Sequence, residues 1–173
     1  MSLIVLTGAS GSGKTAIADA IEAASVGVID VYHFDRIGVP SLGEMVAEFG
    51  SPEAWQRAKT REWWGRVTAA ASARAVLFEG QMRLSFLAEA AATSGSISHK
   101  LVLVDCDDAT RAKRLTFDRG QPDLANDEMM NWASFLRREA VAFDCDVLDT
   151  SRMTIAESAA AVRALFPEEM PRQ

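Results

Sequence analysis

Residues 3–21 read LIVLTGASGSGKTAIADAI, and no other stretch restricts the fold as strongly. An apolar run suited to a strand buried on both faces leads into Gly8-Ala9-Ser10-Gly11-Ser12-Gly13-Lys14-Thr15, and an alanine-rich helical pattern follows. The eight residues match the phosphate-loop pattern G-x-x-x-x-G-K-[ST] in full, in the strand-to-helix context that pattern requires. The composition follows from access. Phosphate oxygens need several donors at close range, so the loop keeps small side chains, turns its backbone N–H groups inward, and gains the positive end of the helix behind it. Lys14 can then reach the β and γ phosphates. The Thr15 hydroxyl can ligate magnesium, which keeps several waters and takes few protein ligands. A glycine turn that merely joined strand to helix would need neither residue.

The rest of the chain repeats the alternation. Apolar runs at 3–7, 26–31, 75–79, 100–106 and 145–149 read as buried strands. Helical patterns occupy about 14–24, 41–49, 52–73, 83–94, 108–118, 127–142 and 154–165. Ser51 before Pro52 and Glu53, Asp107 before the helix carrying Arg111 and Arg114, and Thr154 with Glu157 supply start signals. Strands alternating with helices predict a parallel sheet in a three-layer α/β domain. A length of 173 residues with 49% apolar content fits one such domain over 1–173. No apolar run approaches the roughly 18 residues of a membrane span. The first residues lack the basic flank and cleavage site of a secretory signal, so the cytoplasm is expected and a membrane partner is not. Cys106 and Cys145 read as buried free thiols. The formal charge of −6 argues against a general nucleic-acid binder.

Two intervals stand apart. About forty residues separate the second and third strand runs, where a parallel crossover needs about a dozen. This predicts a helical insert, about 36–73, over one end of the sheet. Within it Trp55 and Trp63 are eight residues apart and share a helix face, as packed aromatics do. Trp64 turns away from that face and is the candidate for facing a ligand. The polar stretch 118–127, with glycine and proline, reads as a mobile loop between helices.

A phosphate loop serves GTPases, motor ATPases and small-molecule kinases alike, and fold alone does not choose among them. Asp35-Arg36-Ile37-Gly38 mimics the Asp-x-x-Gly of GTPases. It comes too early, however, and no Asn-Lys-x-Asp for guanine follows. The phosphate loop, the acidic residue ending the second strand in His33-Phe34-Asp35, the insert, the arginine-bearing helix and the loop with Arg119 together resemble the nucleoside-monophosphate-kinase-like phosphotransferases, such as shikimate, gluconate and adenylate kinases. The likeness spans nearly the whole chain in layout and is motif-specific at the phosphate loop. It implies a five-stranded parallel sheet in the order 2-3-1-4-5, a substrate-binding insert, and a closing lid at about 118–127.

Phosphoryl transfer requires charge neutralisation, alignment, and a carboxylate to take the acceptor's proton. Asp35, beyond the second strand at the sheet's carboxyl end, is the candidate carboxylate, and the likeness gives an aspartate there the substrate hydroxyl. Asp30 lies within the strand and is weaker, and a lone His33 reads as structural. Glu79 ends the third strand, where the likeness places a magnesium-binding acidic residue that is usually Asp. Asp105, ending the fourth strand, competes for that role. Gly80 allows a sharp turn, after which Gln81 and Arg83 can grip an acceptor, Arg83 through a phosphate or carboxylate. Arg119 is the first candidate for the cation covering the transferred group, with Arg111, Arg114 and Arg137 or Arg138 as others. Arg114 is assigned to the nucleotide side. The likeness also lays the backbone of 149–154 along an adenine.

The expected function is therefore an ATP- and Mg²⁺-dependent kinase acting on a small-molecule hydroxyl or phosphate. The alternative is a nucleotide-binding sensor or slow ATPase, which would need no acceptor carboxylate. A nucleic-acid 5′-hydroxyl kinase is disfavoured by the acidic charge.

Overall fold

Leu3–Thr7 forms β1 with all five side chains buried. It occupies the middle of a five-stranded parallel sheet whose order is β2-β3-β1-β4-β5. The other strands are β2 (Ile29–His33), β3 (Ala75–Gly80), β4 (His99–Asp105) and β5 (Asp146–Asp149). Helices α1 (Lys14–Ala24), α2 (Leu42–Phe49), α3 (Pro52–Ala71), α4 (Leu84–Thr93), α5 (Asp108–Lys113), α6 (Asp127–Ala142) and α7 (Ile155–Arg163) lie between and after them. The computed structural model describes residues 2–93 and 97–167. Ser94, the last residue of the helix expected over 83–94, and the ends of the range 1–173 lie outside them.

Strand alternation creates the three layers. Leu3, Val5, Val76, Phe78 and Leu103 point to one face, where α3, α4 and α6 cover them through Trp63, Trp64, Leu87 and Leu136. Ile4, Leu6, Leu77, Val102 and Val104 point to the other, against Ile17 and Ile21 of α1 and Val162 of α7. Each such aliphatic side chain contributes about 1.5–3 kcal/mol on burial. The expected strand order and layers are met.

Several boundaries differ from expectation for local reasons. The second strand runs over Ile29–His33 rather than 26–31. Val28 and Ile29 both donate to the Ser25 carbonyl in a turn through Gly27 at φ 75°, which leaves Val26 82% exposed. The helix expected over 108–118 ends its regular part at Lys113 and continues as a π-helical turn, Arg114–Asp118. The insert consists of α2 and α3. Ser41 and Glu44 form a capping box at α2, and Ser51 caps α3 with Pro52 in its first turn. In the 118–127 loop, Pro122–Leu124 makes a short 3₁₀ turn and Asn126 caps α6.

Trp64 corrects an expectation. It is 1% exposed, inside the core, with its ring edge-on to His99 at 5.0 Å between centroids. His99 opens β4, at the amino end of the sheet, so Trp64 faces away from any ligand at the carboxyl end. Trp55 and Trp63 are core residues as expected, and Trp63 donates its indole N–H to the Phe34 carbonyl at 3.2 Å. Among the described residues no helix is long and apolar enough to cross a membrane.

Candidate active site

The loop from Gly8 to Thr15 leaves β1 at the carboxyl end of the sheet and is held from outside by its carbonyls. Arg111 donates to the Ser10 carbonyl at 2.8 Å. Arg114 donates to those of Gly11 and Ser12 at 3.4 and 3.3 Å, and Thr150 donates to Ser12 at 2.8 Å. In a trans peptide the N–H points opposite to its C=O. Carbonyls engaged outward at 10 and 12 therefore turn the Gly11 and Gly13 amides inward, which makes the concavity an anion cradle. Gly13 sits at φ 97° as it caps α1, a conformation open to glycine at little cost. Gly8 is required by space, since a Cβ there would lie 2.2 Å from the Val104 carbonyl oxygen. Gly8→Ala should therefore lower stability by about 1–3 kcal/mol, the cost of an overpacked site; a thermal melt without nucleotide checks it.

Arg111 was a candidate for a phosphate-covering cation. The structure makes it a support instead. It is fully buried, and its guanidinium pairs with Asp105 at 2.5 Å. Asp105 also receives Arg137 at 2.5 Å, and Arg137 reaches Asp108 at 3.0 Å. These pairs hold the Arg137 guanidinium protonated even more firmly than usual. Both Asp105 carboxylate oxygens accept from these arginines, so its charge is compensated without a metal. Asp107 caps α5.

Lys14 opens α1 and is 7% exposed. Burial lowers its pKa, the carboxylates of Glu79 and Asp35 oppose that shift, and Arg119 and Arg111 add to it. Four charged groups from separate elements thus act on one ammonium. Glu79, at the end of β3, accepts from the Thr15 hydroxyl at 3.3 Å through Oε2 and lies 2.8 Å from His33 Nδ1 through Oε1. Two oxygen donors so placed at the mouth of the cradle fit the hard, oxygen-seeking Mg²⁺. Asp35 stands exposed in the 3₁₀ turn Phe34–Ile37, directly after β2.

Two cavities flank the loop. One, of about 540 Å³, has Gly13, Lys14 and Thr15 along one wall and Arg114, Arg119 and Met153 among its other lining residues. Asp149–Thr154 reaches it through Thr150, whose carbonyl and hydroxyl both receive Arg114. The second, of about 580 Å³, is lined by Gln56, Gln81, Arg83, Asn126, Trp132 and Phe135 among others. It adjoins the cradle through Gln81, which accepts from the Ser10 hydroxyl at 3.1 Å. Gln56 of the insert donates to the Gln81 carbonyl at 2.8 Å. Thr7 and Met82 exchange side-chain and backbone hydrogen bonds, fixing the turn that presents both Gln81 and Arg83.

The Arg83 guanidinium lies 5.1–5.5 Å from the ring centroids of Phe86, Trp132 and Phe135 and 3.4 Å from Glu53. Its buried Nε has no hydrogen-bond partner. The structure thus brings the cradle, Lys14, Glu79, Arg114 and Arg119 together. It sets Gln81 and Arg83 in the adjoining cavity and leaves Trp64 out. Asp35 is near enough for its charge to act on Lys14 but is not among the side chains lining the second cavity. Sequence reasoning missed Thr150 and the Arg111–Asp105–Arg137 network, whose members come from separate elements with no motif to join them.

No protein-family model and no curated protein matches the chain. Solved structures do. A gluconokinase from Sinorhizobium meliloti 1021 superposes with a TM-score of 0.66 at 20% identity, covering 95% of this chain and 93% of that one. A shikimate kinase from Acinetobacter baumannii, in complex with shikimate, gives 0.59 at 16% identity, with 94% and 91% covered. A deoxyadenosine kinase from M. mycoides gives 0.60 at 12% identity, with 94% and 97% covered. At such identities the likeness is one of fold, and the architecture of this chain is that of the nucleoside-monophosphate-kinase-like P-loop kinases.

Proposed function

We propose that the chain is an ATP- and Mg²⁺-dependent kinase that moves the γ-phosphoryl group to a small-molecule hydroxyl or phosphate. The observation carrying this reading is the arrangement at the phosphate loop: a buried Lys14 opens α1, Thr15 beside it donates to Glu79 at 3.3 Å, and Arg114 and Arg119 line the same cavity. The solved structures with this fold support it, because one is a gluconokinase and another is a shikimate kinase with shikimate bound.

The triphosphate would lie in the cradle, its β and γ oxygens on the inward amides and Lys14, with the nucleoside toward Arg114 and the 149–154 backbone. Thr15 and Glu79 would hold magnesium, directly or through water, and the ion would neutralise phosphate charge. The acceptor would occupy the second cavity, held by Gln81 and Arg83. Its oxygen attacks the γ phosphorus, the bond from that phosphorus to the β–γ bridging oxygen breaks, and ADP leaves. Asp35 takes the acceptor's proton, moving toward the acceptor as the insert closes. Arg119, on the 118–127 loop, covers the transferred group, and closure of that loop keeps water from competing for it.

Asp35→Asn tests the proton step. Transfer to the true acceptor should slow about 10²-fold, a modest general-base effect suited to a loose transition state. ATP binding should be unchanged. Transfer near the wild-type rate would remove Asp35 from that role.

A further inference from the structure

β2 ends in a histidine that phosphoryl transfer does not use. His33 is 4% exposed and pairs in register with Glu79 of β3. Ile29 and Val31 of the same strand pack on the α1 side of the sheet, and His33, two residues on, faces that side too. There its Nε2 is buried with no hydrogen-bond partner. It lies 3.7 Å from Asp19 Oδ1 and 3.9 Å from Glu22 Oε2, too far for hydrogen bonds. Asp19 and Glu22 are three residues apart on α1 and so project from one face of that helix. The three ligand atoms all lie within 4.8 Å of one another.

A buried imidazole nitrogen without a partner is costly, and two carboxylates facing it without hydrogen bonds leave a gap with an obvious kind of occupant. Around zinc, nitrogen and oxygen ligands sit at about 2.0–2.1 Å. In tetrahedral geometry such ligands are about 3.4 Å apart, so the two histidine–carboxylate separations of 3.7 and 3.9 Å need to close by about 0.3–0.5 Å, and the two carboxylate oxygens, within 4.8 Å of each other, have to approach as well. Asp19 is exposed and Glu22 half-buried, so both can make that movement. The other ring nitrogen is already engaged as metal-binding histidines require. Nδ1 lies 2.8 Å from the Glu79 carboxylate, a pairing that fixes the proton on Nδ1 and leaves the Nε2 lone pair to the metal.

We propose that His33 Nε2, Asp19 and Glu22 form a binding site for a divalent transition-metal ion of the zinc class, with water completing the coordination. The mixed nitrogen and carboxylate set selects such an ion over magnesium or calcium, which favour all-oxygen sites. The site is separate from the one assigned to magnesium but joined to it through Glu79, which meets His33 with Oε1 and Thr15 with Oε2. It does not depend on the kinase reading, because its test uses no nucleotide. Arg36, with its guanidinium 3.5 Å from Glu22, is the competing cation that the metal must displace.

The test is a titration of the chelator-treated, nucleotide-free chain with zinc, followed through the imidazole ¹⁵N resonances. The chain has only two histidines, and His99, at the start of β4, serves as an internal control. Binding should saturate at a single equivalent, with His33 Nε2 moving to a metal-bound position and His99 unmoved. Glu22→Gln should weaken binding at least about tenfold with the melting temperature kept. The proposal is overturned by no saturable binding at millimolar zinc, by saturation that leaves His33 unmoved, or by equal affinity in a variant carrying both Asp19→Asn and Glu22→Gln.

Discussion

Lys14→Ala should lower kcat/KM for phosphoryl transfer by about 10³-fold or more, the scale on which a cation directed at developing phosphoryl charge acts. Lys14 is 7% exposed, so bulk water screens it little, and its interaction with phosphate oxygens is far stronger than that of a surface lysine. The nucleotide-free protein should melt within a few degrees of the parent, because removing a buried cation also removes its desolvation cost. Mg-ATP should raise the melting temperature of the parent and barely move that of the variant, since a ligand stabilises only in proportion to its binding. Lys14→Arg should not restore activity: the branched guanidinium does not replace a compact ammonium in a closed cradle. A variant that retains both the ATP-induced shift and the rate would place the triphosphate elsewhere.

Arg111→Met should cost about 3–5 kcal/mol, the penalty for breaking a buried ion pair. At about 2–4 °C per kcal/mol for a chain of this size, the melting temperature would fall by about 6–20 °C. The loss has two origins. Asp105 keeps only Arg137, which is partly exposed, and the Ser10 carbonyl loses the donor that holds the phosphate loop. A double variant adding Asp105→Leu should recover part of the loss, because no unpaired carboxylate then remains. If the single variant melted like the parent, Arg111 would not brace the cradle.

The division between what could be read in advance and what could not follows the range of the interactions. The phosphate loop is a contiguous stretch whose chemistry is carried by backbone amides, so eight consecutive residues specify it. The strands in the middle of the sheet were legible because both their faces are buried, which leaves continuous apolar runs. The second strand was misplaced by Val26 and Val28, apolar residues that a turn through Gly27 leaves outside.

Trp64 was misread for a different reason. Helix α3 is buried along two stripes, one holding Trp55 and Trp63, the other Thr60, Trp64, Val67 and Ala71. A single-face pattern assigns the second stripe outward. The contacts of Asp105, Arg111 and Arg137, and of His33 with Glu79, join residues that only the folded sheet brings together. Cys106 is a buried free thiol as expected, whereas Cys145 is only half-buried, and burial raises its pKa to about 11.

The central claim is that this cradle delivers the γ-phosphoryl group to a small acceptor rather than to water. A panel of small hydroxylated and phosphorylated metabolites, each incubated with the protein and Mg-ATP and followed by ³¹P NMR, tests it directly. One compound should accelerate ADP formation strongly and yield a new phosphate-ester or phosphoanhydride signal in equal amount. Slow release of inorganic phosphate at one constant rate, whatever compound is present, would contradict the claim and leave a nucleotide sensor in its place.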